Sequence, residues 1–177
     1  MFRKALACYR ALGRPIAPES ESALQLELEN GSRLVALPGK EGSIRSYSGA
    51  ALIAIDEASR LADETYMAVR PMLAVSRGRL IALSTPYGTR GWWYQAWRQS
   101  GSGDEPWERY EVPAEACPRI DPDWLAAERR AIGSWWADQE YGCVFRDAQD
   151  AVFRQVDIDR MFSEDYEQWD LGGKQSA

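Results

Sequence analysis

Hydrophobic and polar positions alternate in blocks along the chain, and each block predicts an element. Phe2, Leu6, Tyr9 and Leu12 recur at helical spacing, with Gly13 and Pro15 as the stop, so residues 1–12 predict a helix. Leu24, Leu26 and Leu28 alternate with Gln25, Glu27 and Glu29, and Asn30-Gly31 turns the chain into Arg33–Leu37, which predicts a β-hairpin. Ala50–Ile55 and Arg79–Leu83 are short apolar runs of the kind expected for strands buried on both faces. Between them Asp63–Val75 has helical character, with Tyr66, Val69 and Leu73 on one side. Strand, helix and strand at this spacing predict a βαβ unit and hence a parallel sheet.

The pattern continues with a helix from about Thr89 carrying Trp93 and Trp97 on one side, and a strand over Trp107–Val112. Asp121, followed by Pro122 at the first helical position, caps a helix, and Ser134 caps another running to about Phe145. From Ser163 the chain turns acidic and polar and ends in Gly-Gly-Lys-Gln-Ser-Ala, the composition of a frayed tail. The expected organisation is one α/β domain over 1–162 and a polar tail over 163–177. The eight tryptophans suit a ring-rich core: Trp92, Trp93 and Trp97 at helical spacing with Tyr94 read as core before they read as base-stacking platforms.

Composition narrows the chemistry. With no histidine among 177 residues, Ser-His-Asp and Cys-His catalysis are excluded. Cys8, Cys117 and Cys143 are widely spaced and suggest neither a disulfide framework nor a zinc site. Reactions must run on carboxylates, hydroxyls, Lys or Arg, with a hard metal such as magnesium. The net charge of −6 argues against a dedicated nucleic-acid binder, though not against a local patch such as Arg77, Arg79, Arg90 and Arg98. The longest apolar stretches are far too short to span a bilayer, and no signal-type block opens the chain, so a cytoplasmic protein is expected.

Two strand ends carry the candidate site. Leu52–Ile55 delivers Asp56 and Glu57 to the carboxyl edge of a parallel sheet, where open α/β folds bind ligands. An Asp there holds hydrated magnesium, and an adjacent Glu orients and deprotonates the water that attacks a γ-phosphate; the alternative is an acidic pair that caps the following helix. The second strand ends in Ser84-Thr85-Pro86, whose hydroxyls suit a γ-phosphate sensor, or else form an ordinary exit turn. A phosphate-cradling loop needs G-x-x-x-x-G-K-[ST]. Gly39-Lys40 is followed by Glu41 with Leu34 at the first glycine position, and Gly173-Lys174 is followed by Gln175, so neither qualifies.

Taken in order, the hairpin, Pro38-Gly39, Ser43-Ile44-Arg45-Ser46-Tyr47-Ser48-Gly49, Asp56-Glu57-Ala58, Leu83-Ser84-Thr85-Pro86 and Gln139-Glu140-Tyr141-x-x-x-Phe145 resemble the large terminase subunit of tailed bacteriophages, from about residue 1 to Phe162. That family packages viral DNA with an N-terminal ATPase followed by an RNase H-like nuclease. The resemblance implies an incomplete P-loop NTPase-type, additional-strand fold with a mostly parallel sheet flanked by helices. It implies that Asp56 and Glu57 match the Walker B acid and catalytic glutamate, and Ser84 and Thr85 the coupling motif. Arg45 would reach the γ-phosphate of a neighbouring subunit; the alternative is a surface arginine paired with Glu41. ATP and Mg2+ are the implied cofactors, bound weakly or not at all by this chain. Double-stranded DNA, the portal protein, the small terminase subunit and a homo-oligomeric ring are the implied partners, in a prophage or gene-fragment setting. The family's phosphate-loop segment lies upstream of the matching residues, and its nuclease beyond them. Asp157, Asp159, Glu164, Asp165 and Asp170 lack the rigid sheet that a two-metal nuclease site needs, so they are expected to face solvent. The rival expectations are a non-catalytic module that binds terminase or portal partners, and a helicase-like ATPase fragment.

Overall fold

The computed structural model describes residues 1–37, 47–98, 107–147 and 155–161. The first helix, α1, spans Phe2–Ala11, as its periodicity predicts, and Gly13 leaves it at φ 76°. A three-stranded antiparallel meander follows: β1 (Pro18–Glu21), β2 (Gln25–Leu28) and β3 (Arg33–Val35). The predicted hairpin is β2–β3, with Leu26 opposite Leu34, and Ser32 N–H donates to Asn30 Oδ1 at 3.0 Å inside the turn. Strand β1 escaped the sequence reading because Pro18–Glu21 has no apolar alternation; it pairs with β2 through its backbone.

The βαβ unit is present. Strand β4 (Leu52–Asp56) pairs in parallel with β5 (Arg79–Leu83), Leu52 beside Arg79 and Asp56 beside Leu83. Between them α2 (Asp63–Val69) passes into a 3₁₀ turn over Arg70–Leu73, where Pro71 removes a helical N–H and tightens the winding. The return into β5 is close: Ala50 N–H donates to Met72 O, Arg79 N–H donates to Ala51 O, and a β-carbon on Gly78 would lie 2.0 Å from Ala50 O. Only glycine fits at that position.

The core lies on one face of this strand pair. Ile55, Ala58, Tyr66, Val69, Met72 and Trp92 form its buried centre, with Ile53, Leu80 and Ala82 packed against it. Trp92 opens α3 (Gly91–Arg98), stacks on Tyr66 with ring centroids 4.0 Å apart, and donates its indole N–H to Leu61 O at 3.1 Å. The reading of the tryptophans as core therefore holds for Trp92, while Trp93 and Trp97, expected on the inner side, are only half-buried. The expectation of strands buried on both faces is corrected. Leu52 is 55% exposed, Ile81 47% and Leu83 49%, because among the described residues the helices pack on the Ile53–Ile55 side.

Further expectations change. Trp107–Val112 forms no strand; it leads to a 3₁₀ turn at Ala114–Ala116. Helix α4 (Pro122–Ile132) is capped as predicted, with Asp121 Oδ1 accepting from the N–H groups of Asp123 and Trp124. Helix α5 (Ser134–Glu140), however, is capped by Gly133 and ends before Tyr141, not at Phe145. It buries Ala137 and Gln139 and leaves Trp136 exposed. A last helix, α6 (Gln155–Met161), carries Asp157, which is half-buried and takes part in an interaction instead of facing solvent freely. Of the other tail acids, the Asp159 side chain, Glu164, Asp165 and Asp170 lie outside the described residues. No described helix is long and apolar enough to cross a membrane.

Candidate active site

The register of the parallel pair builds the site. Because Asp56 stands beside Leu83, the segments Asp56-Glu57 and Ser84-Thr85 leave the sheet at the same level, on its carboxyl edge. The predicted adjacency of the two strand ends is therefore real. Asp56 is exposed at the end of β4. Glu57 follows in the left-handed region, at φ 56° and ψ 41°. A non-glycine residue there costs about 1–2 kcal/mol, and such strain gathers at functional sites. This conformation turns the chain sharply from β4 into the 3₁₀ turn Ala58–Arg60, whose Ala58 is fully buried. Glu57 stands at the N-cap position of this turn and makes no side-chain cap bond to it.

Ser59 and Ser84 hydroxyls meet at 2.7 Å. Thr85 Oγ1 donates to Glu140 Oε2 at 3.0 Å. Gly88 N–H approaches Gln139 Oε1 at 3.5 Å, and Thr89 hydrogen-bonds Asp147. Tyr94 packs against Phe145 with centroids 5.2 Å apart. The Gln139-Glu140-Tyr141-x-x-x-Phe145 segment is thus seated on the Ser84–Gly88 exit turn. Sequence spacing could not reveal this meeting, because fifty or so residues separate the two motifs and contact order is not written in periodicity. One residue was overlooked altogether. Arg60 lies 4.0 Å from Glu57 Oε2, 3.7 Å from Glu140 Oε1, and 4.2 Å above the Tyr87 ring. A basic residue three positions after a strand-end acid was the available signal.

Arg45 and Glu41 lie outside the described residues. Arg77, Arg79, Arg90 and Arg98 are all exposed, and Arg98 sits 5.5 Å from the Tyr94 ring centre. Among the described residues, shallow hollows lie around α4 and α5, lined by residues such as Ile120, Asp121, Leu125 and Tyr141 and not by the strand-end acids. A shape criterion alone would place the site there. The chemistry argues otherwise, since those linings hold no pair of convergent catalytic groups.

Among the described residues no three His, Cys, Asp or Glu side chains converge as a metal cage. A magnesium ion that keeps most of its water shell needs only one or two protein carboxylates, and Asp56 is an exposed carboxylate at the strand end.

A fold with this sheet edge is similar to that of a phage large-terminase ATPase domain, which bears out the α/β fold class. The solved domain from Thermus phage P74-26 superposes with a TM-score of 0.53 at 18% identity, covering 78% of this chain and 67% of that one. An arginine-to-alanine mutant of the same domain gives a TM-score of 0.46 at 17% identity, covering 74% of this chain. The present chain spans 58% of that mutant's length. No protein-family model and no curated protein matches the chain.

Proposed function

We propose that this chain is the acid-bearing portion of a DNA-packaging motor ATPase of tailed bacteriophages. The observation that supports it best is the shared sheet edge, where Asp56-Glu57 and Ser84-Thr85 leave neighbouring parallel strands on a terminase-like fold. Glu57 orients and deprotonates the attacking water. Asp56 would hold the magnesium ion. When bound, magnesium neutralises charge that builds on the γ-phosphate. Ser84 and Thr85 sense the phosphate and pass its loss to α5. Arg45 acts on the γ-phosphate of a neighbouring subunit in a ring. The partners in this reading are double-stranded DNA, a portal protein and a small terminase subunit, in the cytoplasm of a bacterial host.

The chain alone binds ATP weakly, because the 177 residues contain no G-x-x-x-x-G-K-[ST] to match the triphosphate charge. Titration calorimetry with Mg-ATP on the isolated chain tests this, with millimolar or absent binding expected. Micromolar binding would contradict it and reveal a different phosphate site. A second reading, a non-catalytic module that docks on terminase or portal partners, is favoured by the bare apolar face at Leu52, Ile81 and Leu83. Turnover on supplying a phosphate-loop segment would separate the two.

A further inference from the structure

Arg60 stands between two carboxylates. Its Nε faces Glu57 Oε2 at 4.0 Å and its Nη2 faces Glu140 Oε1 at 3.7 Å. The other Glu140 oxygen accepts the Thr85 hydroxyl at 3.0 Å. The four side chains form a continuous polar line from the end of β4, through the last residue of α5, to the exit of β5. Tyr87 lies under the guanidinium at 4.2 Å and limits where it can swing.

Helix physics does not ask for an acid at position 140. A helix C-terminus carries partial negative charge, which disfavours a carboxylate there. Both groups that offset this cost, Arg60 and Thr85, come from the strand-end side. The preceding residue, Gln139, is fully buried, and its Nε2 has no hydrogen-bond partner among the described residues. An unmet buried donor disfavours the present seat of α5, and the residue-140 contacts are among those that offset it on the strand-end side, beside the Gly88 N–H to Gln139 Oε1 approach. One guanidinium also serves two acids. When either acid takes another partner, the guanidinium is drawn to the remaining one, since attraction varies inversely with separation.

We infer that Arg60 and Glu140 are positioning residues that tie the Glu57 carboxylate to the Thr85 hydroxyl, so that a change of partner at one end is felt by α5 at the other. This rests on the roles proposed above for Glu57 and Thr85.

The test has two arms. In the 177-residue chain, urea-unfolding double-mutant cycles pair Arg60→Met with Glu140→Gln, and Thr85→Val with Glu140→Gln. Each pair is expected to couple by about two- to fivefold in the unfolding constant. Thr85→Ser keeps that coupling and Thr85→Val loses it, whereas a methyl-packing role for Thr85 would give the reverse order. Additive behaviour in both cycles overturns the inference. In the second arm the chain is joined behind a phosphate-loop segment and ATP turnover is measured. Arg60→Met and Glu140→Gln should each lower kcat by roughly tenfold with KM little changed, and Arg60→Lys should recover part of the loss. If Glu57→Gln is inactive while both variants turn over like the parent, the inference fails and the ATPase reading stands. If Glu57→Gln itself turns over normally, the ATPase reading fails.

Discussion

Ser59 and Ser84 share a 2.7 Å hydrogen bond that joins the turn leaving β4 to the end of β5. It fixes the strand-end loops against each other just where Glu57 is held at φ 56°. The hydrogen bond and the left-handed turn at Glu57 together set the path of the chain along the carboxyl edge.

Glu57→Asn should be neutral or stabilising. Asparagine tolerates the left-handed region better than glutamate does, so a gain of about 0.5–1 kcal/mol is expected. The side chain gives up little, since Glu57 is 72% exposed and its ion pair with Arg60 is long. Urea denaturation measures it. A loss above about 1 kcal/mol would mean that the Glu57 side chain supports the fold.

Gly78→Ala should destabilise the βαβ unit by about 1–3 kcal/mol, because the added carbon meets the Ala50 carbonyl oxygen at 2.0 Å and Leu73 Cδ2 at 2.8 Å. Thermal melting followed by circular dichroism reads this directly. An unchanged melting temperature would show that the Ala50–Gly78 approach is looser than described.

Stability should fall on the acid side through Asp138. Its hydrogen bond from Arg146, then that from Arg129, holds its carboxyl below the ordinary aspartate value despite partial burial. A group with a lowered folded pKa contributes stability above its unfolded value, about 3.9, and loses it as pH falls through the folded value. The difference in stability between parent and Asp138→Asn should therefore be full at pH 6 and shrink below about pH 4. A difference that does not change with pH would assign the effect to packing.

The sequence made the βαβ unit legible because its signals are local: apolar runs, a helical stripe and an acid pair at a strand end. Hairpin β2–β3 was legible through Asn30-Gly31, and α4 through Asp121-Pro122. What it hid depends on tertiary partners. The runs at Ala50–Ile55 and Arg79–Leu83 read as doubly buried because Leu52, Ile81 and Leu83 are apolar, yet among the described residues one face alone meets helices. Asp56, Glu57, Ser84 and Thr85 were legible as residue types at strand ends. Their link through Arg60 and Glu140 was not, since no periodicity encodes the docking of α5.

The bare face makes its own prediction. Ile81→Thr with Leu83→Thr should change stability by no more than about 0.5 kcal/mol per site, whereas Ile55→Ala, on the packed side at 8% exposure, should cost about 2–5 kcal/mol. Sedimentation should also show the threonine pair with more monomer than the parent. A costly threonine pair would mean that this face is covered in solution.

The catalytic assignment is tested most directly with a phosphate-loop segment supplied ahead of Met1 and steady-state ATP turnover measured beside nucleotide binding. Glu57→Gln is expected to lower turnover by about 10²–10⁴-fold with ATP binding nearly intact, because it acts on the water in the transition state. Asp56→Asn should instead weaken magnesium-dependent binding, and Thr85→Ala should leave part of the hydrolysis while uncoupling it from DNA movement. Most of the turnover surviving in Glu57→Gln would contradict the account and reduce Asp56-Glu57 to the end of a strand.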